Sequence, residues 1–243
     1  MIDAVIFDKD GTLFDFRASW GAWTQNLIRD LAADQSHADV LGHVLGYDRA
    51  SQQFRPDSPV IALTTDEIAD IVSPFVPNLS HAALYARMND LAAAAPMVPA
   101  VDLPVVLGGL RARGLILGLA TNDTEAPARL HLKRAGVLGL FDFVAGCDSG
   151  FGGKPAPGQL QAFAQACGVA PVRVAMVGDS LHDLEAGRRA GMHAVAVLTG
   201  VATHADLAPH ADVVLPDISQ LAAWIDAIGS RQAAIDGKLQ KTT

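Results

Sequence analysis

The most chemically loaded stretch of the chain is AVIFDKDGTLFD, residues 4–15. There an apolar run ends on two carboxylates, Asp8 and Asp10, with one lysine between them. Like charges so close repel, and one of the pair is driven toward its protonated form unless something offsets it. A bound cation, a chemical use of the carboxylates, or both would account for the pair. In an extended segment the two acids would share a face, about 6.6 Å apart along it. Lys9 would then point away from both, as a contact to the surface or to a covering element.

Three further stretches carry polar groups suited to the same chemistry. LILGLA (115–120) runs into Thr121, Asn122 and Asp123; VAMV (174–177) runs into Gly178, Asp179, Ser180 and then Asp183. Lys154 stands in the glycine-rich turn FGGKPAPG, residues 151–158. Asp8, Asp10 and Asp179 supply hard oxygen donors, which suit magnesium better than zinc. Magnesium also favours the ionised form of acids crowded around it. Gly11 lets backbone amides approach phosphate oxygens closely. Thr121 offers a hydroxyl, Asn122 an amide and Lys154 a positive charge to a transferring phosphoryl group. Together these are the parts of carboxylate-based phosphoryl transfer.

Plainer readings exist for each residue. Asp10-Gly11 is ordinary turn chemistry, but three other strand ends of matching character argue against a bare turn. A calcium loop starting at Asp8 would put Leu13 where its glycine belongs. Ser180 to Asp183 spells a capping box, so a structural and a functional reading of Asp183 stand side by side. Asn122 could serve as a helix cap and Lys154 as a solvated loop charge.

The elements that must position these groups alternate. Residues 4–7, 115–120, 173–177 and 194–198 read as buried strands, and most are followed by a helical pattern. Asn122 or Asp123 is suited to cap a helix with Pro127 in its early turns, and Ser180 to cap one over 181–190. Gly168 and Gly191 suit helix ends. Strand–helix alternation predicts an α/β fold, a parallel sheet with helices on both faces, in which the polar strand ends converge on one edge. Between the first strand and residue 100 the pattern is helical only, at about 17–33, 37–46, 65–72 and 81–95. Thr64 with Glu67 and Ser36 with Asp39 spell capping boxes there. Pro96, Pro99 and Pro104 mark a hinge back to the sheet. The division expected is a core of residues 1–14 and 98–243 and an all-helical insertion over 15–97, with a frayed helix or tail from about 229.

Composition narrows the classes. Half of the 243 residues are hydrophobic and 18% are charged, enough for a sizeable core. The formal charge of −8, without a basic stripe, argues against nucleic acid as a partner. Two cysteines cannot build a secreted disulfide framework. No apolar run approaches a membrane span, and no signal peptide is visible, so a cytoplasmic location without membrane partners is expected. Trp20 and Trp23, three apart, suit the core of the insertion or a wall facing a substrate. Arg17, Arg49 and Arg55 are candidates to recognise an anionic substrate. The eight histidines show no metal-ligand spacing and are assigned no role. Cys147 reads as a small buried hydrophobe.

FDKDGTL, LATND, GGKPAP and VGDSLHD, in that order, resemble the four signature motifs of the haloacid dehalogenase-like (HAD) superfamily. The helical insertion resembles the cap of its phosphatase-like branch, and VLTGVATHADLAPHADVVLPDISQL is similar to the closing elements of phosphoglycolate phosphatase-like members. The resemblance implies a Rossmann-like core with an inserted helical cap. It implies Asp8 as the nucleophile that becomes an aspartyl-phosphate, and Asp10 as general acid and base, with its backbone carbonyl on Mg2+. Thr121, Asn122 and Gly11 would hold the phosphoryl group, and Lys154 would stabilise its charge and that of Asp8. Asp179 would ligate Mg2+, and Asp183 would orient Lys154 or a metal-bound water. The implied activity is magnesium-dependent hydrolysis of a small phosphorylated metabolite of the phosphoglycolate or sugar phosphate class. FDFRASW departs from phosphoglycolate-type enzymes, which tend to have Val-Asp-Ser after the leucine. A phosphomutase is the alternative, although Thr12 leans toward phosphatases; a non-catalytic phospho-ligand sensor would have no need of Asp10. Dehalogenase relatives lack the second acid.

Overall fold

A computed structural model describes residues 1–239, with the backbone alone over 231–239. Strand β1 (Ala4–Phe7) opens the chain. Helices α1 (Phe16–Leu31) and α2 (Gln35–Val44), a hairpin of β2 (Tyr47–Asp48) and β3 (Gln53–Phe54), and helices α3 (Thr65–Val72) and α4 (His81–Ala94) follow. The chain then runs α5 (Leu103–Ala112), β4 (Ile116–Ala120), α6 (Glu125–Arg134), β5 (Phe143–Ala145), α7 (Gly158–Cys167) and β6 (Val174–Gly178). It closes with α8 (Leu181–Arg189), β7 (His193–Val197), α9 (His204–Leu207), β8 (Val213–Leu215) and α10 (Leu221–Leu239).

Six strands form one parallel sheet in the order β5-β4-β1-β6-β7-β8. The period of two in each strand sends alternate side chains to opposite faces. Val5 and Phe7 join Leu117, Leu119, Val177 and Val195 on one face, under Leu107 of α5, Leu132 of α6 and Leu221 of α10. Ala4 and Ile6 join Met176 on the other, under Leu160 and Phe163 of α7 and Ala186 of α8. Gly118 makes room for this second layer: a Cβ there would lie 2.7 Å from the Phe163 ring.

The segment between β1 and α5 carries its own apolar core, built around Trp20, Leu27, Leu41, Ile68, Leu84 and Met88. Its two connections to the sheet run side by side, with Asp15 N–H donating to Val98 O at 2.8 Å and Ala100 N–H to Leu13 O at 2.9 Å. The segment is not all-helical, since Tyr47 pairs with Phe54 across the β2–β3 hairpin. Those two-residue strands are too short for periodicity to reveal. Thr64 and Glu67 form the expected capping box, but Ser36 and Asp39 do not. Asp34 caps α2 instead, accepting from His37 N–H at 2.8 Å, which starts the helix before Ser36. Likewise Thr124, rather than Asn122 or Asp123, occupies the N-cap of α6. The frayed end expected from about 229 is helical backbone to Leu239, and its remainder lies outside the described residues.

No helix among the described residues is long and apolar enough to cross a membrane.

Candidate active site

Because all six strands are parallel, their carboxyl ends share one edge, where ligands bind in open α/β sheets. The chain leaves β1 in a tight turn. Leu13 and Phe14 N–H both donate to Lys9 O, at 3.0 and 3.1 Å, and Gly11 adopts φ +89°, a conformation that strains any residue with a Cβ. The turn removes the extended geometry on which an outward Lys9 depended, and it sends the two carboxylates of the DKD stretch to different partners.

Asp8 faces Lys154, whose Nζ donates to Asp8 Oδ1 and, at 2.7 Å, to Asp183 Oδ1. Asp179 completes the group: carboxyl oxygens of Asp8, Asp179 and Asp183 lie within 4.8 Å of one another, all three residues buried. Burial pushes the Asp8 carboxyl up to about 7, with Lys154 opposing and Asp183 and Asp10 adding to the rise. Burial likewise holds Asp179 well above the usual carboxylate range, reinforced by Asp183 and Asp8. For Lys154 burial acts downward, but Asp183 and Asp8 outweigh it and raise the ammonium above its ordinary value. Three buried carboxylates thus share one ammonium, leaving two negative charges when all are ionised. A divalent cation with oxygen ligands fits that donor set and that charge.

The space around Asp179 is tight. Cβ atoms added at Gly11 and Gly200 would lie 2.3 Å and 1.7 Å from Asp179 Oδ2. Thr199 Oγ1 donates to Gly11 O at 2.6 Å and ties the loop after β7 to the turn after β1. Asp183 does both things considered for it: it holds Lys154, and its Oδ2 accepts from Ser180 N–H at 3.0 Å in a capping box that starts α8.

Asp10 lies outside this carboxylate group. Its two carboxyl oxygens sit 2.9 and 2.8 Å from Lys9 Nζ. Lys9 is neither exposed nor turned away from its neighbours; it is completely buried. Asp123 Oδ2 is 3.2 Å from Nζ and His131 Nδ1 is 3.2 Å away, while the Trp20 ring centroid lies at 5.3 Å. Burial pulls the Lys9 ammonium down, but Asp10 and Asp123 outweigh it. Lysine only donates, so His131 Nδ1 accepts and Nε2–H donates to Ala92 O, 2.8 Å away in α4. Burial, with Lys9 adding to it, depresses His131 to about 4 and keeps it neutral.

Thr121 is buried beside this edge, and its Oγ1 accepts from Asp123 N–H at 3.1 Å. The Asn122 side chain is already spent. Its Nδ2 donates to Ala62 O at 2.7 Å and Lys154 O at 2.9 Å, and its Oδ1 accepts from Lys154 N–H at 2.7 Å. It therefore links the insertion to the lysine loop, and its backbone is the part left to meet an anion.

A cavity of about 60 Å3 lies between this edge and the insertion. Asp8, Asp10, Thr121, Asn122, Lys154, Asp179 and Asp183 line one side, and Trp20 and Trp23 are among the residues opposite. Those indoles pack edge to face with centroids 5.0 Å apart, serving at once as core of the insertion and wall of the cavity. Arg17, Arg49 and Arg55 do not reach it: Arg17 is exposed, Arg49 pairs with Asp39 and Arg55 with Asp57. Cys147 is half-buried, its thiol pushed up to about 12 by burial. Lys9, Asp123, His131, His182, Thr199 and Gly200 are neighbours of the site that sequence reading left unassigned. Lys9, Asp123 and His182 did sit inside recognised motifs, and Thr199 and Gly200 inside the closing segment; His131 carried no local signal.

Residues 2–191 match the family model of haloacid dehalogenase-like hydrolases. The chain is 30% identical to phosphoglycolate phosphatase of Rhodospirillum rubrum, over 93% of this chain and 91% of that one. It is 27% identical to N-acetylmuramic acid 6-phosphate phosphatase of Pseudomonas aeruginosa, over 93% and 95% respectively. Its fold is similar to the crystal structure of a predicted phosphoglycolate phosphatase from Haemophilus somnus. That likeness has a TM-score of 0.71 at 18% identity and covers 92% of this chain and 98% of that one.

Proposed function

The chain belongs to the haloacid dehalogenase-like hydrolases, and on that premise we propose that it is a magnesium-dependent phosphatase of a small phosphorylated metabolite. The observation that carries the reading is the pairing of Asp8 with Lys154 at the floor of a covered cavity, with Asp10 two residues on and held separately. Relatives at similar identity are named for phosphoglycolate and for an amino-sugar phosphate, so phosphoglycolate and sugar phosphates are the first classes to test.

In the proposed reaction an Asp8 carboxyl oxygen attacks phosphorus, and the bond to the alcohol oxygen breaks. Asp10 gives a proton to the departing alcohol. It then takes one from the water that attacks the aspartyl-phosphate, which releases phosphate and restores Asp8. Lys154, with its aim fixed by Asp183, balances charge on Asp8 and on the phosphoryl oxygens. Thr121 and the backbone at Gly11 and Asn122 supply the remaining contacts to that group. Asp8, Asp179 and the Asp10 carbonyl would hold magnesium, which would supply the positive charge that offsets the crowded acids and the phosphate dianion. The covering segment keeps bulk water from the reacting atoms.

Phosphate release from a panel of phosphorylated metabolites, with Mg2+ or chelator, tests the proposal with wild type and Asp8→Asn side by side. Release that needs Mg2+ and disappears in Asp8→Asn is the expected result. Release that survives in the variant would refute the aspartyl-phosphate route, and release only with a bisphosphate activator would favour the mutase.

A further inference from the structure

The cavity has two walls of opposite character. The sheet edge supplies the acids and Lys154; the insertion supplies Phe16, Trp20, Trp23, Ile61, Leu63 and Met88. Thr65 is the one hydroxyl-bearing side chain among the insertion's lining residues, and none of them carries a charge. Trp23 spends its indole N–H on Met88 O, 3.2 Å away. Lys154 is the only lysine or arginine among the described lining residues, and Asp8 and Asp183 already hold it.

A phosphomonoester bound with phosphorus at Asp8 must turn its alcohol portion toward that second wall. An anionic substituent there would leave water without meeting a counter-charge, which is strongly unfavourable. A sugar would leave most of its hydroxyls unpartnered. A hydrocarbon or aromatic surface would gain burial and aromatic contact.

We propose that the substrate is a phosphomonoester whose alcohol portion is uncharged and presents an apolar or aromatic face to Phe16, Trp20 and Trp23. A second anionic group, such as the carboxylate of phosphoglycolate, is selected against. This rests on the phosphatase reading above and departs from the substrate classes for which the relatives are named.

Two matched pairs test it: n-propyl phosphate against 3-(phosphonooxy)propanoate, and benzyl phosphate against its 4-carboxylate. Each pair differs by one carboxylate and keeps a similar leaving alcohol. With wild type and Mg2+, kcat/KM is expected to favour the uncharged member by at least about 100-fold, mostly through KM. Leu63→Arg places a cation on the half-buried rim of the apolar wall and should narrow that ratio by about 10-fold or more. Tryptophan fluorescence of Asp8→Asn provides a binding readout without turnover, and the uncharged member should bind more tightly. Release that depends on Asp8 but is equal or faster for the carboxylates overturns this inference and leaves the phosphatase reading standing. No Asp8-dependent release from any phosphomonoester, in these pairs or in the metabolite panel, overturns both.

Discussion

Replacing Lys9 with methionine keeps the length of the side chain and deletes one ammonium. That ammonium serves four partners: both oxygens of Asp10 at 2.9 and 2.8 Å, Asp123 Oδ2 at 3.2 Å and His131 Nδ1 at 3.2 Å. Asp123 suffers most. Its Oδ2 has no hydrogen-bond partner, so the ion pair with Lys9 is all that compensates that oxygen. Breaking a buried pair from one side costs about 3–5 kcal/mol. At about 2–4 °C per kcal/mol for a chain of 150–250 residues, the melting temperature falls by about 6–20 °C.

The loss depends on pH in a definite direction. Burial already raises Asp123 above its unfolded pKa, and Lys9 is what pulls it back. Without Lys9 the folded-state pKa climbs further. A group with a raised folded pKa contributes fully below its unfolded value, and its contribution fades as pH rises through the folded one. Lys9→Met is therefore expected to be least destabilised near pH 5 and most near pH 8. Adding Asp123→Asn removes the stranded charge and should restore at least half of the lost stability. Urea unfolding of wild type, both single variants and the double variant measures this cycle. A Lys9→Met protein within about 0.5 kcal/mol of wild type, or a double variant as unstable as the two losses added, would refute the reasoning. In the proposed phosphatase the same single variant should lower kcat with little change in KM, because it frees Asp10 and leaves the cavity walls intact.

Other consequences can be checked more quickly. Gly200→Ala puts a Cβ 1.7 Å from Asp179 Oδ2 without demanding a left-handed backbone, so Mg2+ binding by calorimetry and activity should both fall, activity by about 100-fold or more. Asp8 and Asp179 have raised folded pKa values, so below about pH 7 the metal-free fold keeps stability that it loses as they ionise. Mg2+ should therefore raise the melting temperature more at pH 8 than at pH 5.5, and an equal shift at both would count against a site made of these acids. His131 is depressed to about 4, so between pH 6.5 and 4 the unfolded chain binds a proton that the folded one refuses. Stability should fall across that window, and His131→Gln should flatten the fall. Asn122→Ala strands Ala62 O together with Lys154 O and N–H, and should cost about 1–3 kcal/mol in urea unfolding.

What could be read from the sequence is what the chain writes contiguously. AVIF, LILGLA and VAMV are buried strands with polar residues directly after them, so fold class and the acids at one edge followed from local pattern. β5, β8 and the β2–β3 hairpin are two or three residues long and rest on pairing that only the assembled sheet or hairpin provides. The wall opposite Asp8 draws on α1, α3, α4 and the turn at 60–63, so no window of sequence displays it. Arg17, Arg49 and Arg55 looked available because composition cannot show that Asp39 and Asp57 hold two of them.

The spacing of Asp8 and Asp10 poses a different problem from the one their proximity suggests. One cation serving both acids would have sufficed for an extended strand end. The turn at Gly11 instead divides them, giving Asp8 to Lys154 and Asp183, and Asp10 to Lys9 and Asp123. Each side has one ammonium for more than one carboxylate, but only the Asp8 side has three acids converging. Deficit, not acidity alone, marks where a divalent cation fits. The Lys9 side is left with one negative charge when both its acids are ionised, against two on the Asp8 side, and it reaches the insertion through His131 and Ala92 O. In the proposed reaction Asp8 therefore depends on a bound metal for its ionisation, whereas the position of Asp10 depends on the seating of the insertion. Chelation should leave the Lys9 cluster in place, and substitutions at His131 should loosen the Asp10 side chain and lower kcat more than they weaken Mg2+ binding.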